Sequence, residues 1–254
     1  MRKIILFALF TLTTLSAKAH SQEEQVNINV AGIDLTISSN GPFSPSVHTF
    51  SRHAKYRSHL ALFELGFNIP TNVSYGTYNG TVEPWFNLID TKSTQFTFNV
   101  FSVGTRLSPN GTVGLSAALG MSWNNYVFET PTRVKRTDGM LTAEPIDTNG
   151  WVKSKINTFA LHLPILLEVG QRKGFFAAVG GYGDLVVGSR SKIKYSKHNK
   201  EINRGLNLPL LQAGVTARVG YRRVYMFGNY SLTELFRNEG PATNILTIGL
   251  GIGF

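Results

Sequence analysis

Residues 244–254 read N-I-L-T-I-G-L-G-I-G-F, with Leu246, Ile248, Leu250, Ile252 and Phe254 on one parity and Ile245, Thr247, Gly249, Gly251 and Gly253 on the other. Successive side chains of a strand point to opposite faces, so this stretch has an aliphatic face backed by an almost bare one. A strand of a soluble sandwich would carry charged or long polar side chains opposite its core face. Glycine in that position suits a small closed barrel instead. There the outer surface meets lipid, and the narrow interior must leave room for side chains from facing strands.

The other end of the chain supports the same reading. Arg2 and Lys3 precede an apolar run over residues 4–15, followed by Ser16-Ala17-Lys18-Ala19. This is the layout of a signal peptide, with cleavage expected after Ala19. The run is too short to span a bilayer as a helix, which takes roughly 20 residues. No Cys stands at the cut, and no later segment is a candidate transmembrane helix. Membrane residence would therefore have to be as β-structure, closed so that no backbone edge meets lipid. The final Phe254 resembles the terminal aromatic assembly signal of bacterial outer-membrane β-barrels.

Composition narrows the chemistry. The absence of Cys excludes disulfide frameworks, thiolate metal sites and cysteine nucleophiles. The 25 Gly, 17 Phe and 9 Tyr favour β-structure. The formal charge of +10 falls to +7 when Arg2, Lys3 and Lys18 leave with the leader. On an exported chain such a balance points to anionic lipid or polyanions and away from nucleic acid.

Residues 20–57 are polar, with alternation at Val26, Ile28 and Val30 and again at Ile33, Leu35 and Ile37. They read as a periplasmic N-terminal extension with one short hairpin, or as a linker. From residue 58 onward eight alternating segments follow, near 59–68, 93–107, 112–128, 151–169, 175–190, 211–219, 224–233 and 244–254. In the second, Phe96, Phe98 and Val100 are out of phase with Phe101, Val103 and Thr105, which predicts a bulge near Val100. The third sets Val113, Leu115, Leu119 and Trp123 against Gly114, Ser116, Gly120 and Asn124. Trp123 and Tyr126 near its end suit an interfacial aromatic girdle. Short turns, such as Ser108-Pro109-Asn110-Gly111, alternate with long polar loops, among them 130–150 and 191–204. The expected fold is all-β, an eight-stranded antiparallel transmembrane β-barrel (58–254) with both termini in the periplasm, a periplasmic extension (20–57) and a cleaved leader (1–19). The rival is a soluble lipocalin-like barrel, which would have the inverse polarity.

The stretch 59–68, the strand end Asn124-Asn125-Tyr126-Val127-Phe128 and the element Leu163-Pro164-Ile165-Leu166-Leu167 together resemble the PorT-like outer-membrane β-barrel family of Bacteroidetes. The resemblance covers roughly residues 59–254. It implies a narrow barrel, allows an accessory role in protein export, and carries over no catalytic residue.

Two sets of residues could carry function. The inward parity collects Glu64, Arg106, His162, Glu168, Asp184, Arg190 and Arg218. The lumen of so small a barrel is filled by side chains, so these charges need one another as partners. They read as a hydrogen-bonded plug before they read as a proton path or a catalytic site. Lys192, Lys194, Lys197, Lys200 and Arg204 form a basic loop on the extracellular side, a candidate site for polyanions such as lipopolysaccharide phosphates. No phosphate-binding loop, zinc or calcium spacing, or hydrolase motif occurs, so no cofactor, no metal and no catalytic residues are expected. The expected function is a non-enzymatic outer-membrane protein, binding at the cell envelope or assisting export. A narrow transporter or pore is the alternative, and a lipid-modifying enzyme ranks below it. The expected partners are outer-membrane lipid and lipopolysaccharide, the barrel-assembly machinery, and an envelope or secretion-system protein. If Phe254 is the assembly signal, deleting it lowers outer-membrane levels of the chain more than replacing Ala217 does, as read by immunoblots of membrane fractions.

Overall fold

The computed structural model describes the backbone of residues 25–30, 33–39 and 45–49, and then residues 56–253 apart from 57, 77–83, 138–139, 171–173, 196–199, 207 and 238–239. The leader expected at 1–19 and Phe254 lie outside the described residues. The chain divides into two units, Met1–Ala54 and Lys55–Phe254. In the first, β1 (Gln25–Val30), β2 (Ile33–Ser39) and β3 (Pro45–Thr49) pair antiparallel in the order β1-β2-β3. The alternation read as one hairpin thus belongs to a three-stranded meander.

The second unit is a closed antiparallel barrel. Its strands are β4 (Ala61–Ser74), β5 (Thr94–Arg106), β6 (Val113–Val127), β9 (Lys153–Gly170), β10 (Phe175–Lys194), β12 (Leu211–Tyr221), β13 (Val224–Ser231) and β14 (Ala242–Gly253). Each pairs with the next in the chain's order, and β14 returns to β4, pairing Gly251 with Glu64 and Leu250 with Leu65. Among these eight strands no edge is left over. The short connections gather at one end of the barrel and the long ones at the other, as the turn lengths predicted.

Side chains follow the expected parity. Leu65, Val179, Val219 and Leu250, each more than half exposed, belong to a broad apolar outer belt. Ser116, Ser122, Thr158, Asn229 and Thr247 are buried on the inward face. The bulge expected near Val100 is present, between Asn99 and Phe101. Tyr126 departs from the girdle reading: it has the parity opposite to Trp123 and is buried inward. Several inward glycines serve as berths for aromatic rings. A Cβ on Gly114 would come within 2.5 Å of the Tyr56 ring, and one on Gly251 within 2.4 Å of the Tyr225 ring. On the last strand Gly251 admits a ring, whereas Gly249 lets the backbone of β4 approach.

The long connections are not merely polar loops. The stretch 130–150 contains a hairpin, β7 (Thr132–Thr137) with β8 (Met140–Pro145), and the stretch 191–204 is largely strand. Val134 and Leu141 of the hairpin join Trp85, Phe86, Phe128 and Phe236 in an apolar cluster that closes the long-loop end. Its rings meet edge to face, with Phe86 and Phe236 centroids 5.1 Å apart, a favourable aromatic geometry.

The hairpin is tied down by charge. Arg133 donates from Nε to Glu201 Oε1 and from Nη2 to Glu201 Oε2, both at 2.9 Å. These hydrogen bonds hold the Glu201 carboxyl below its ordinary range. A depressed folded pKa means stability that is present above the unfolded carboxylate value, about 4.3, and lost as pH falls through the folded one. The protection of amides in residues 132–145, taken relative to their intrinsic exchange rate at each pH, should therefore fall in acid, below the ordinary carboxylate range, while the barrel strands stay protected. In Glu201→Gln that acid step should disappear.

Candidate functional site

The lumen brings most of the inward charges together in three groups. Nearest the short-turn end, Glu168 accepts hydrogen bonds from Ser58 Oγ at 2.8 Å, the His59 backbone N–H at 3.1 Å, Tyr56 Oη at 3.2 Å and Ser116 Oγ. His59 Nδ1 lies 2.9 Å from the same carboxylate, and its ring stacks on Phe176 at 4.1 Å. Tyr56 and His59 stand before the first barrel strand, so the chain enters the lumen ahead of β4 and is pinned there. The sequence boundary at 57 leaves Tyr56 in the extension, whereas it packs in the barrel against Gly104 and Gly114. Only the glycines in the facing parity hinted at a guest.

In the second group Arg218 Nη1 lies 2.9 Å from Glu64 Oε1, and Tyr225 Oη donates to the same oxygen at 2.5 Å. Both members of the ion pair have 1% of their side-chain surface exposed, so each is the other's substitute for water. Further along, His162 Nδ1 meets Asp184 Oδ1 at 2.5 Å, with the Tyr182 ring 5.5 Å from the imidazole. Beyond this pair a polar void of about 20 Å³, lined by Gln95, Asn124, Tyr182 and Asp184, separates it from the apolar cluster. Such a void holds about one water molecule.

Arg106 and Arg190 do not join these groups. Arg106 is half-buried at the short-turn end near Gly111, with Nε unpartnered. Arg190 corrects the inward assignment: β10 bulges between Val186 and Gly188, and the extra residue reverses the phase. Beyond the bulge Ser191 and Ile193 turn inward and are fully buried, while Arg190 is exposed on the outer wall.

There Arg190 meets the basic stretch, which is a strand extension and not a loop. β11 (Lys200–Arg204) pairs with the end of β10. Three cross-strand rows result on the outer face. Asn125, Asn157, Arg190 and Arg204 align across β6, β9, β10 and β11. Lys155 and Lys192 face each other in the next row, and Lys153, Lys194 and Lys200 in the third. Lys197 lies outside the described residues. Lys155, Asn125 and Asn157 were missed as site residues because they are distant in sequence from the lysine-rich stretch. Their shared parity with Trp123 and Phe159 was the available signal. Among the described residues no group of side chains is arranged to hold a metal ion.

No protein-family profile matches the chain, and no curated protein matches it. Among solved structures, the crystal structure of Ail, the attachment invasion locus protein of Yersinia pestis, is similar over 75% of this chain and 95% of that one, at 8% identity and a TM-score of 0.32. The fold described above rests on the strand pairing of this chain alone.

Removing one partner of a buried ion pair strands the other charge, at a cost of about 3–5 kcal/mol. Arg218→Met should therefore destabilise the barrel by that order, and Glu64→Gln combined with Arg218→Met should recover most of the loss. Urea unfolding in detergent micelles, followed by far-UV circular dichroism, measures both.

Proposed function

We propose that this chain is a non-enzymatic outer-membrane barrel that acts by binding at its long-loop end, with its lumen serving as a packed structural core. The observation that carries this reading is the inverted polarity of a closed barrel. Leu65, Val179, Val219 and Leu250 face outward and are exposed, whereas Glu64, His162, Glu168 and Arg218 face inward and are buried. A water-soluble barrel would leave that outer belt unsatisfied, whereas hydrocarbon solvates it. The signal-peptide layout of residues 1–19 and the alternation of short and long connections support insertion with the short turns and the amino-terminal unit in the periplasm.

The resemblance of residues 59–68, 124–128 and 163–167 to the PorT-like family of Bacteroidetes supports a finer reading, in which the barrel is an accessory to protein export and its partner an envelope or secretion-system protein. The barrel-assembly machinery would insert it. A binding role is favoured over a pore because ion pairs and the Trp85–Phe86–Phe236 cluster occupy the interior. It is favoured over a lipid-modifying enzyme because the His162–Asp184 pair is buried in the lumen, away from lipid.

Planar-bilayer recordings test this reading. The refolded chain should insert and remain electrically silent. Steady single-channel openings would overturn the binding role in favour of a narrow pore.

A further inference from the structure

The cationic outer face has a construction that solvation alone does not explain. Arg190 stands directly opposite Arg204, Lys192 opposite Lys155, and Lys194 opposite both Lys153 and Lys200. Like charges in directly opposed positions destabilise a sheet. The acid of β11, Glu201, does not relieve them, because it turns to the other face and is taken by Arg133. Among the described residues no carboxylate forms an ion pair with any of these outer cations. Such an arrangement is open to an anion from outside the chain.

The row nearest the apolar belt also has a shape. Trp123 and Phe159 lie side by side, ring centroids 5.1 Å apart, and the residue in register with Phe159 on β10 is Gly188. A Cβ on Gly188 would meet nothing within 4 Å. The gap opens a groove of about 440 Å³ bounded by Trp123 and Phe159 on the belt side and by Lys155, Arg190 and Arg204 on the other. Lys155 Nζ donates to Asn125 Oδ1 at 2.8 Å, and Asn157 donates to the same oxygen. Asn125 thus orients the lysine over the groove.

We infer that this groove is a binding site for the phosphate of an anionic membrane lipid, with the lipid's chains against Trp123 and Phe159. Two exposed guanidinium groups and one ammonium match a phosphate, to which arginine donates bidentately. The groove runs directly from the aromatic girdle into the cations, which is the polarity of a lipid crossing from chain to headgroup. A soluble polyanion would use the charges but leave the ring-lined side of the groove empty. The site rests on the reading that the barrel is inserted in a membrane.

The test uses the full chain in phosphatidylcholine nanodiscs. Phosphatidylglycerol and a phosphorylated glucosamine glycolipid are titrated in separate arms, and inorganic phosphate and dextran sulfate in two more. Losing both arginines in the double variant Arg190→Gln with Arg204→Gln should weaken lipid binding at least about tenfold, since a single charged hydrogen bond already contributes that much. Gly188→Phe fills the groove without touching a charge and should weaken lipid binding comparably. Lys194→Gln with Lys200→Gln, in the row farthest from the belt, should change it by no more than about twofold, as expected of exposed charges.

Whichever lipid binds more tightly identifies the source of the phosphate. The inference is overturned if Gly188→Phe binds as the parent does, or if dextran sulfate binds and the lipids do not, which makes the face a site for soluble polyanions. Insertion is read separately in lipid-free detergent and plain phosphatidylcholine, by heat-dependent electrophoretic mobility and by quenching of tryptophan with brominated chains. Failure there removes the membrane reading itself, whereas intact insertion without lipid binding removes only this site.

Discussion

Closing eight strands into a ring leaves an interior too narrow for bulk water, and the charges buried deepest in it, Glu64, Glu168, Asp184 and Arg218, find their partners among the other inward side chains. The pairing of β14 with β4 makes this possible, because it sets Gly251 beside Glu64 and opens the space that the Tyr225 ring fills. Tyr225 then donates to Glu64, which Arg218 neutralises from across the lumen. A side chain on Gly251 would displace the ring, and the carboxylate would lose a hydrogen bond that water cannot replace. The same logic recurs at Gly114, whose missing side chain admits Tyr56 to reach Glu168. Ring closure, glycine placement and charge pairing are therefore one constraint.

The outer wall obeys the opposite rule. Between the barrel ends it has no protein to pack on and is aliphatic, with aromatic rings such as Phe96, Trp123 and Phe159 in contact along one side. Past that belt the sheet continues in β9, β10 and β11, and its outer face becomes cationic within a single row. Inside, Glu64 and Arg218 cancel. Outside, Arg190 and Arg204 face each other with the nearby acid turned away. The protein thus pairs Glu64, Glu168 and Asp184 inside the lumen, and among the described residues it leaves the outer cations without an acid.

The ends differ in how they are sealed. At the short-turn end the seal is polar: residues 56, 58 and 59 fold back from the chain's entry and satisfy Glu168. At the long-loop end it is apolar, made of rings contributed by connections far apart in the chain. Hydrogen bonds at one end and ring packing at the other enclose the His162–Asp184 pair between them.

The sequence by itself determined the faces of the strands, the alternation of short and long connections, the bulge near Val100 and the need for inward charges to pair. These are legible because side-chain direction has a period of two, which any short window reveals. Which charges pair was not legible, since Glu64 meets Arg218 only through the register of strands distant in the chain. Arg190 was misplaced because the bulge at Val187 leaves no mark in composition, yet it reverses every side chain after it. Tyr56, the hairpin at 132–145 and the ring cluster at the long-loop end were hidden for a related reason. Polar connections show no periodicity that foretells which of their few apolar residues will meet. Only the closed ring brings those residues together, and it also sets Lys155 beside Lys192, because a cross-strand neighbour is decided by register and not by order in the chain.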